Sequence, residues 1–422
     1  MEPRLTDPAR ARQWLGWAVG LAALVQLALF ATATAPGLAG TSDSIFYLHA
    51  AQTLRDTGHL LNPDGTAYRF WPPLYPILLR ACGPLAAIRV LHGVSLLGSL
   101  LLWSWLGARL LPARRALVLP MLLALSTPWL LVGKFVWAES GFLLLFAAYM
   151  ALLYGWLRTG RGVWWAAATA AGFLLPLQRT LGLFLLAGVG VGLLGGWRQL
   201  QMRKRCLVVI QLAISVVGGL MWQWYALLAG PSRYHPSQGW RQLLSSGADF
   251  GFVLCRWLLP LPTAGRTLLP HAVWAVALLM LFGGLWPRHP RHPFGQRLLE
   301  KTFNPKASEI PGQLLLRILW SAALTLVALV AILTVFSQSA AGIHDAERYA
   351  SIVFAPVLLL VLAAWPARAP RWLGWALGAA WLLCSALRVG HVALDLRRLT
   401  PLTSGSLVGP ALHGQGVRAA GQ

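Results

Sequence analysis

The feature that most constrains this chain is a succession of apolar runs long enough to cross a lipid bilayer. A span needs about 20 consecutive apolar residues. The first run, Trp14 to Thr34, meets that length directly behind Arg4, Arg10 and Arg12. It is longer than a signal-peptide core, so it reads as an uncleaved first span with the N-terminus inside. Further spans are expected near 85–106, 116–134, 140–157, 163–178, 180–197, 207–228, 271–286, 318–337, 351–365 and 372–391. That makes roughly eleven, with a range of about 9 to 13.

Composition places the chain in the same class. Hydrophobic residues make up 57% of it and charged ones only 11%, with a mean hydropathy of +0.62, far from the balance of a soluble domain. The expected fold is all-α and polytopic, with residues 1–391 forming one transmembrane domain and 392–422 a disordered tail. A net charge of +23 suggests nucleic acid until the basic residues are placed. Arg109, Arg114 and Arg115, then Arg158 and Arg161, then Arg198, Arg203, Lys204 and Arg205 fall in alternate short loops, as do Arg368 and Arg371. This is the positive-inside pattern. It accounts for the excess without nucleic acid and puts the loop 35–76 outside the cytoplasm.

That loop concentrates polar and aromatic groups beside the membrane. Asp43 opens a helical pattern, with Thr41 or Ser42 as N-cap and Gly58 after its end. Phe46, Tyr47, Ala50 and Leu54 recur at helical spacing, a stripe suited to lying on a bilayer. The Trp71-Pro72-Pro73 turn and Tyr75 then lead back into lipid.

The succession Asp43, Tyr47, Ala51, Leu54, Gly58, Asp64-Gly65, Tyr68, Trp71-Pro72-Pro73-Leu74-Tyr75-Pro76 resembles the first outer loop of GT-C membrane glycosyltransferases. Within them it is similar to bacterial relatives of protein O-mannosyltransferases and lipid A aminoarabinose transferases, of glycosyltransferase family 39 type. The resemblance implies a GT-C fold and transfer of a sugar from a polyprenyl-phosphate donor, in a bacterial cytoplasmic membrane. It also implies an acidic residue at the start of a juxtamembrane helix, a position that Asp43 matches. Many members carry two adjacent acids there, whereas Ser42 and Ser44 flank a single one here.

Polar residues on the same side complete the expected site. Glu139 lies in the short turn after Lys134, and an acid at the mouth of a helix hairpin is costly unless it is used or paired, here with Lys134 or Arg179. Arg179 sits between two apolar runs, where it either snorkels to headgroups or presents a planar fork to a phosphate. His344, Asp345, Glu347, Arg348 and Tyr349 crowd the start of a late span. Arg348 and Tyr349, with Pro356 following, match the Arg-Tyr and Pro-containing helix of many GT-C relatives. Arg348, Arg179, His344, Tyr349 and Lys134 are therefore the expected phosphate ligands. Asp43 and Glu139 are the expected catalytic acids, and Tyr47, Asp64, Tyr68, Trp71 and Tyr75 are expected to position donor or acceptor.

These residues suit an inverting transfer with Asp43 as general base and the acceptor a hydroxyl of a glycan, lipid or protein. A retaining route through a carboxylate nucleophile remains an alternative. So does a divalent cation between Asp43 and Glu139, with Asp345 or Glu347 as further oxygens. The rival class is a transporter or flippase of lipid-linked sugars; no related halves are apparent, and the acids sit at helix ends. The outer loop 229–270, with Tyr234, His235, Trp240, Arg241, Arg256, Trp257 and Arg266, is expected to be re-entrant or interfacial, and 286–317 to be a cytoplasmic linker. His289 and His292 lack a metal-binding context, and the four scattered cysteines define no disulfide framework. No phosphate-binding or dinucleotide loop is present, so an activated sugar would come from a lipid carrier.

Overall fold

The computed structural model describes residues 8–228, 240–259, 269–286, 305–335, 343–365 and 371–403. Of the expected features, residues 229–239 and 260–268 of the outer loop, 287–304 of the linker, and 404–422 of the tail lie outside them.

The described residues form helices and no strand longer than an isolated bridge. In order they are α1 (Pro8–Ala33), α2 (Ser42–Asp56), α3 (Leu74–Cys82), α4 (Leu85–Leu110), α5 (Ala113–Ala124), α6 (Thr127–Lys134), α7 (Glu139–Thr159), α8 (Gly162–Gln178), α9 (Leu181–Gly195), α10 (Met202–Leu228), α11 (Trp240–Leu258), α12 (His271–Gly284), α13 (Pro305–Val335), α14 (Ile343–Ala350), α15 (Phe354–Ala364) and α16 (Arg371–Arg397). This is an all-α, multi-pass integral membrane protein.

Among the described residues, eight helical segments are long and apolar enough to span: α1, α4, α5–α6, α7, α10, α13, α14–α15 and α16. The other three expected spans are helices of 17, 15 and 14 residues, α8, α9 and α12. At 1.5 Å per residue these cover about 21–26 Å of a ~30 Å hydrocarbon core. The span expected at 116–134 is two helices: α5 stops at Ala124, and Ser126 starts α6 by accepting from the Trp129 amide at 3.1 Å.

Burial separates the inside of the bundle from its lipid face. In α14–α15, 78% of the spanning window is buried, against 17% in α1 and in α16. The inner helices carry Trp103, Trp129, Phe142, Phe146, Tyr149 and Trp156 fully covered, whereas Trp17, Leu24, Met221 and Trp224 face outward. With lipid outside, packing and backbone hydrogen bonding hold such a bundle together.

A second, smaller core lies at one end. Tyr47, Leu48, Ala50 and Ala51 of α2 pack with Tyr68, Tyr75 and Leu79, and with Val136 and Ala138 before α7. Tyr47 and Ala50 of the apolar stripe are therefore covered by protein, not by a bilayer as the spacing predicts, while Phe46 and Leu54 stay half-buried. A hydrophobic face has the same period whether lipid or a neighbouring helix covers it.

The tail also begins later than expected. α16 runs through residue 392 to Arg397, and the chain then crosses residues 37–40, where the Leu402 amide donates to the Leu38 carbonyl at 2.8 Å. Gly40 permits this crossing, because a Cβ there would meet Leu402 at 2.6 Å.

Candidate functional site

Four separate segments bring their charges together beside the small core. Arg348 Nη1 donates to Asp43 Oδ2 at 2.8 Å, and its Nε donates to Glu139 Oε1. Arg179 Nη1 reaches the same Glu139 oxygen. Glu139 is fully buried and Arg179 and Arg348 nearly so, while Asp43 keeps 21% of its side chain exposed. Asp43 is thus the most exposed member of the cluster.

Each charge sits where its helix favours it. Asp43 and Glu139 occupy the first turns of α2 and α7, Arg348 the last turn of α14, and Arg179 the C-cap of α8. Helix ends carry about half a charge, positive at the N-terminus and negative at the C-terminus, worth about 0.3–1 kcal/mol to a matching side chain.

Local contacts fix these ends against each other. The Ala39 amide donates to the Lys134 carbonyl at 2.9 Å, and the Val136 amide donates to the Ala39 carbonyl at 3.0 Å. This bridge sets Thr41 beside Trp137, whose Nε1 donates to Thr41 Oγ1 at 2.8 Å. Thr41 and Ser44 form the capping box that starts α2. Gln178 Nε2 donates to the Ala138 carbonyl at 2.9 Å, tying the end of α8 to the start of α7. Gly182 lets the next turn close: a Cβ there would lie 2.5 Å from the Leu175 and Pro176 backbone.

Aromatic rings line the cluster. The Arg348 guanidinium lies over Trp137 at 4.1 Å, and Tyr349 lies 5.4 Å from the Arg179 guanidinium and 5.8 Å from that of Arg348. Tyr47 packs against Tyr75 at 5.0 Å and Trp71 at 5.8 Å, and Tyr68 stacks on Trp71 at 6.2 Å. Burial pushes the Tyr47 phenol above its ordinary 10.0; Arg179 opposes the rise and Asp43 adds to it. The Tyr68 hydroxyl is buried with no hydrogen-bond partner, as is Glu139 Oε2.

Of the residues expected from sequence, Asp43, Glu139, Arg179, Arg348, Tyr349, Tyr47, Tyr68, Trp71 and Tyr75 gather here. Lys134 does not act with them. Its Nζ donates to the Ala33 and Gly37 carbonyls at 3.0 and 2.9 Å, so it caps the end of α1. Asp64 is exposed and accepts from the Thr66 amide and hydroxyl at 3.0 and 2.6 Å, shaping its own turn. Glu347 faces the other way, toward Arg256 at 2.6 Å and Arg388 at 3.6 Å, because consecutive helical residues point in different directions. Asp345 lies in α14, and the His344 side chain is outside the described residues. Trp137, Gln178 and Arg388 are additions, of which only Trp137 carries a sequence signal, two residues before Glu139 in the same turn; Arg256 comes from the loop expected to be interfacial.

The donor set does not suit a divalent cation. Such an ion wants six or more oxygens. Here Asp43 Oδ2 and Glu139 Oε1 already face two guanidinium groups, and among the described residues no three His, Cys, Asp or Glu side chains cluster.

The arrangement of spans and juxtamembrane helices is a multi-pass membrane fold shared with solved structures. Within that class, the chain is similar to ArnT from Cupriavidus metallidurans bound to undecaprenyl phosphate, with a TM-score of 0.52 and 16% identity over 90% of this chain and 75% of that one. It is also similar to the apo state of that protein, with a TM-score of 0.53 and 15% identity over 87% of this chain and 62% of that one. The likeness is one of fold, and the chain spans roughly two thirds of those proteins' length. No family model and no curated protein matches the sequence.

Proposed function

We propose that this protein is a membrane glycosyltransferase that moves a sugar from a polyprenyl-phosphate-linked donor to an acceptor hydroxyl on the extracytoplasmic face. The observation that carries this reading is the sharing of Arg348 between Asp43 and Glu139. One cation holds a partly exposed carboxylate and a buried one, with a second arginine behind it. The undecaprenyl phosphate in the ArnT structure supports a lipid phosphate as the carrier.

The chemistry follows from these groups. Donor phosphate approaches Arg348 and Arg179, which present charge-assisted donors to its oxygens. As phosphate competes for Arg348, Asp43 is released from its ion pair. Asp43 then accepts the proton of the acceptor hydroxyl, the oxygen forms a bond to the anomeric carbon, and the bond from that carbon to the phosphate oxygen breaks. Polyprenyl phosphate leaves with the electron pair, and the arginines stabilise its charge. Tyr68 has a phenol available to a sugar hydroxyl. Glu139, with one oxygen held by two arginines, positions those cations and is a poor nucleophile. Attack by the acceptor itself inverts the anomeric centre.

The test is transfer of radiolabelled sugar from a panel of polyprenyl-phosphate monosaccharides to a membrane extract. Label moving with wild type and collapsing with folded Asp43→Asn supports the proposal. Equal transfer by the two removes Asp43 as base. Donors that cross the bilayer without losing their sugar make the protein a flippase.

A further inference from the structure

A groove away from the charged cluster points to a second lipid-binding site. It lies between α1 and α4 and has a volume of about 620 Å³. Leu27 and Phe30 form one wall and Val90, Val94 and Leu97 the other, while residues 35–38 and Leu402 close the end nearest α2. Gly93 brings the walls together, since a Cβ there would lie 3.1 Å from Phe30. From Leu85 to Leu97 the helix rises about 18 Å, close to the ~15 Å depth of one leaflet's hydrocarbon. Val90 and Val94 are exposed along it, so the groove opens sideways to lipid.

Charge at its closed end selects among lipids. Arg89 lines the groove and is held in place: Nε donates to Thr34 Oγ1 at 2.8 Å and Nη2 to the Ala31 carbonyl at 3.4 Å. Lys134 caps the same end of α1 through the Ala33 and Gly37 carbonyls. No carboxylate pairs with either among the described residues. A helix C-terminus offers about half a negative charge. Against two cations that leaves a surplus of about one and a half positive charges beside an apolar slot.

We propose that this groove holds one anionic phospholipid from the leaflet on the Asp43 side, its phosphate at Arg89 and one acyl chain between α1 and α4. The site is separate from the arginines assigned to the sugar donor and does not depend on the transferase reading. A lipid there would cover residues 35–38, which lead into α2, and would fill the exposed seam beside α1.

Native mass spectrometry of the full-length protein, titrated with phosphatidylglycerol or phosphatidylcholine, tests it. Wild type is expected to retain one phosphatidylglycerol about five- to tenfold more tightly than phosphatidylcholine, the scale of one ordinary hydrogen bond. Arg89→Gln should abolish that preference, weakening phosphatidylglycerol more than phosphatidylcholine, whose choline cation already offsets its phosphate. Val94→Trp, filling the groove from its exposed side, should remove the tight lipid altogether, whereas Val217→Trp on α10 should not. Equal retention of the two lipids by wild type, or a preference surviving Arg89→Gln, overturns the proposal. Stoichiometric displacement of phosphatidylglycerol by undecaprenyl phosphate also overturns it and gives the groove to the donor's tail.

Discussion

The two faces of α14 carry opposite solutions to buried charge. Toward α2 and α7, Arg348 joins Arg179, Asp43 and Glu139, two cations against two acids. Toward α11 and α16, Glu347 stands alone between Arg256 and Arg388. The balanced side is the more deeply covered around Glu139, while Arg256 keeps 21% of its side chain exposed on the other. A buried charge is costly unless it is paired or hydrogen-bonded, and around Glu139 two arginines meet that need. If Arg348 were drawn away from the balanced face, Glu139 would remain paired with Arg179. On the other face Glu347 meets both Arg256 and Arg388, and losing it would set two arginines against each other.

The comparison breaks most sharply at Asp43. Asp43→Asn should lower transfer about 10²–10⁴-fold, the usual worth of a general base, with the folded protein and donor affinity retained. Arg348→Ala should cost about 10²–10³-fold in turnover, the scale of one lost stabilising donor, and should weaken donor binding too. Arg348→Lys should recover only part of this, because an ammonium lacks the fork that spans two acids. If Arg348→Ala left turnover unchanged, the matched face would be a structural device only.

On the other face, Glu347→Gln should act mainly on stability. Thermal unfolding in detergent should shift by the equivalent of about 1–3 kcal/mol, with transfer by the folded fraction within about threefold of wild type. A larger kinetic than thermal effect would make the two faces equal partners in the reaction. Lys134→Met sharpens the distinction from a third position: it should lower thermal stability and leave the KM for donor unchanged, since its contacts are carbonyls at the end of α1.

The smallest expected effect is a pH dependence. Because burial raises the Tyr47 pKa, the folded protein holds that proton where the unfolded chain releases it. Its contribution is complete below the ordinary value of 10.0 and is lost as pH rises toward the folded value. Unfolding midpoints followed from pH 9 upward should therefore fall less steeply in Tyr47→Phe than in wild type.

Much of the site was legible in the sequence because charge is scarce in an apolar chain. Asp43, Glu139, Arg179 and Arg348 each interrupt or border a run of apolar residues, and all four meet. Lys134 obeyed the same rule and was misassigned, because a sequence does not reveal which cation will be needed by the bare carbonyls of a neighbouring helix. Glu347 was grouped with Arg348 by adjacency, although one step along a helix turns a side chain by about 100°. The stripe on α2 gave the right face and the wrong cover. The spans were legible in position, but the break between α5 and α6 depends on the Ser126 cap as well as on hydropathy.

Arg348 lies 209 positions beyond Glu139 in the chain. A membrane protein is inserted from its N-terminus onward, so Asp43, Glu139 and Arg179 all emerge long before their common partner does. The early helices must wait with two acids facing a single arginine. Docking of α14 supplies the second cation, and residues 401–403 then close over the loop ahead of α2. Completion of the charged cluster is thereby a late event, and a chain stalled or truncated before α14 would be inserted in the bilayer without its shared arginine.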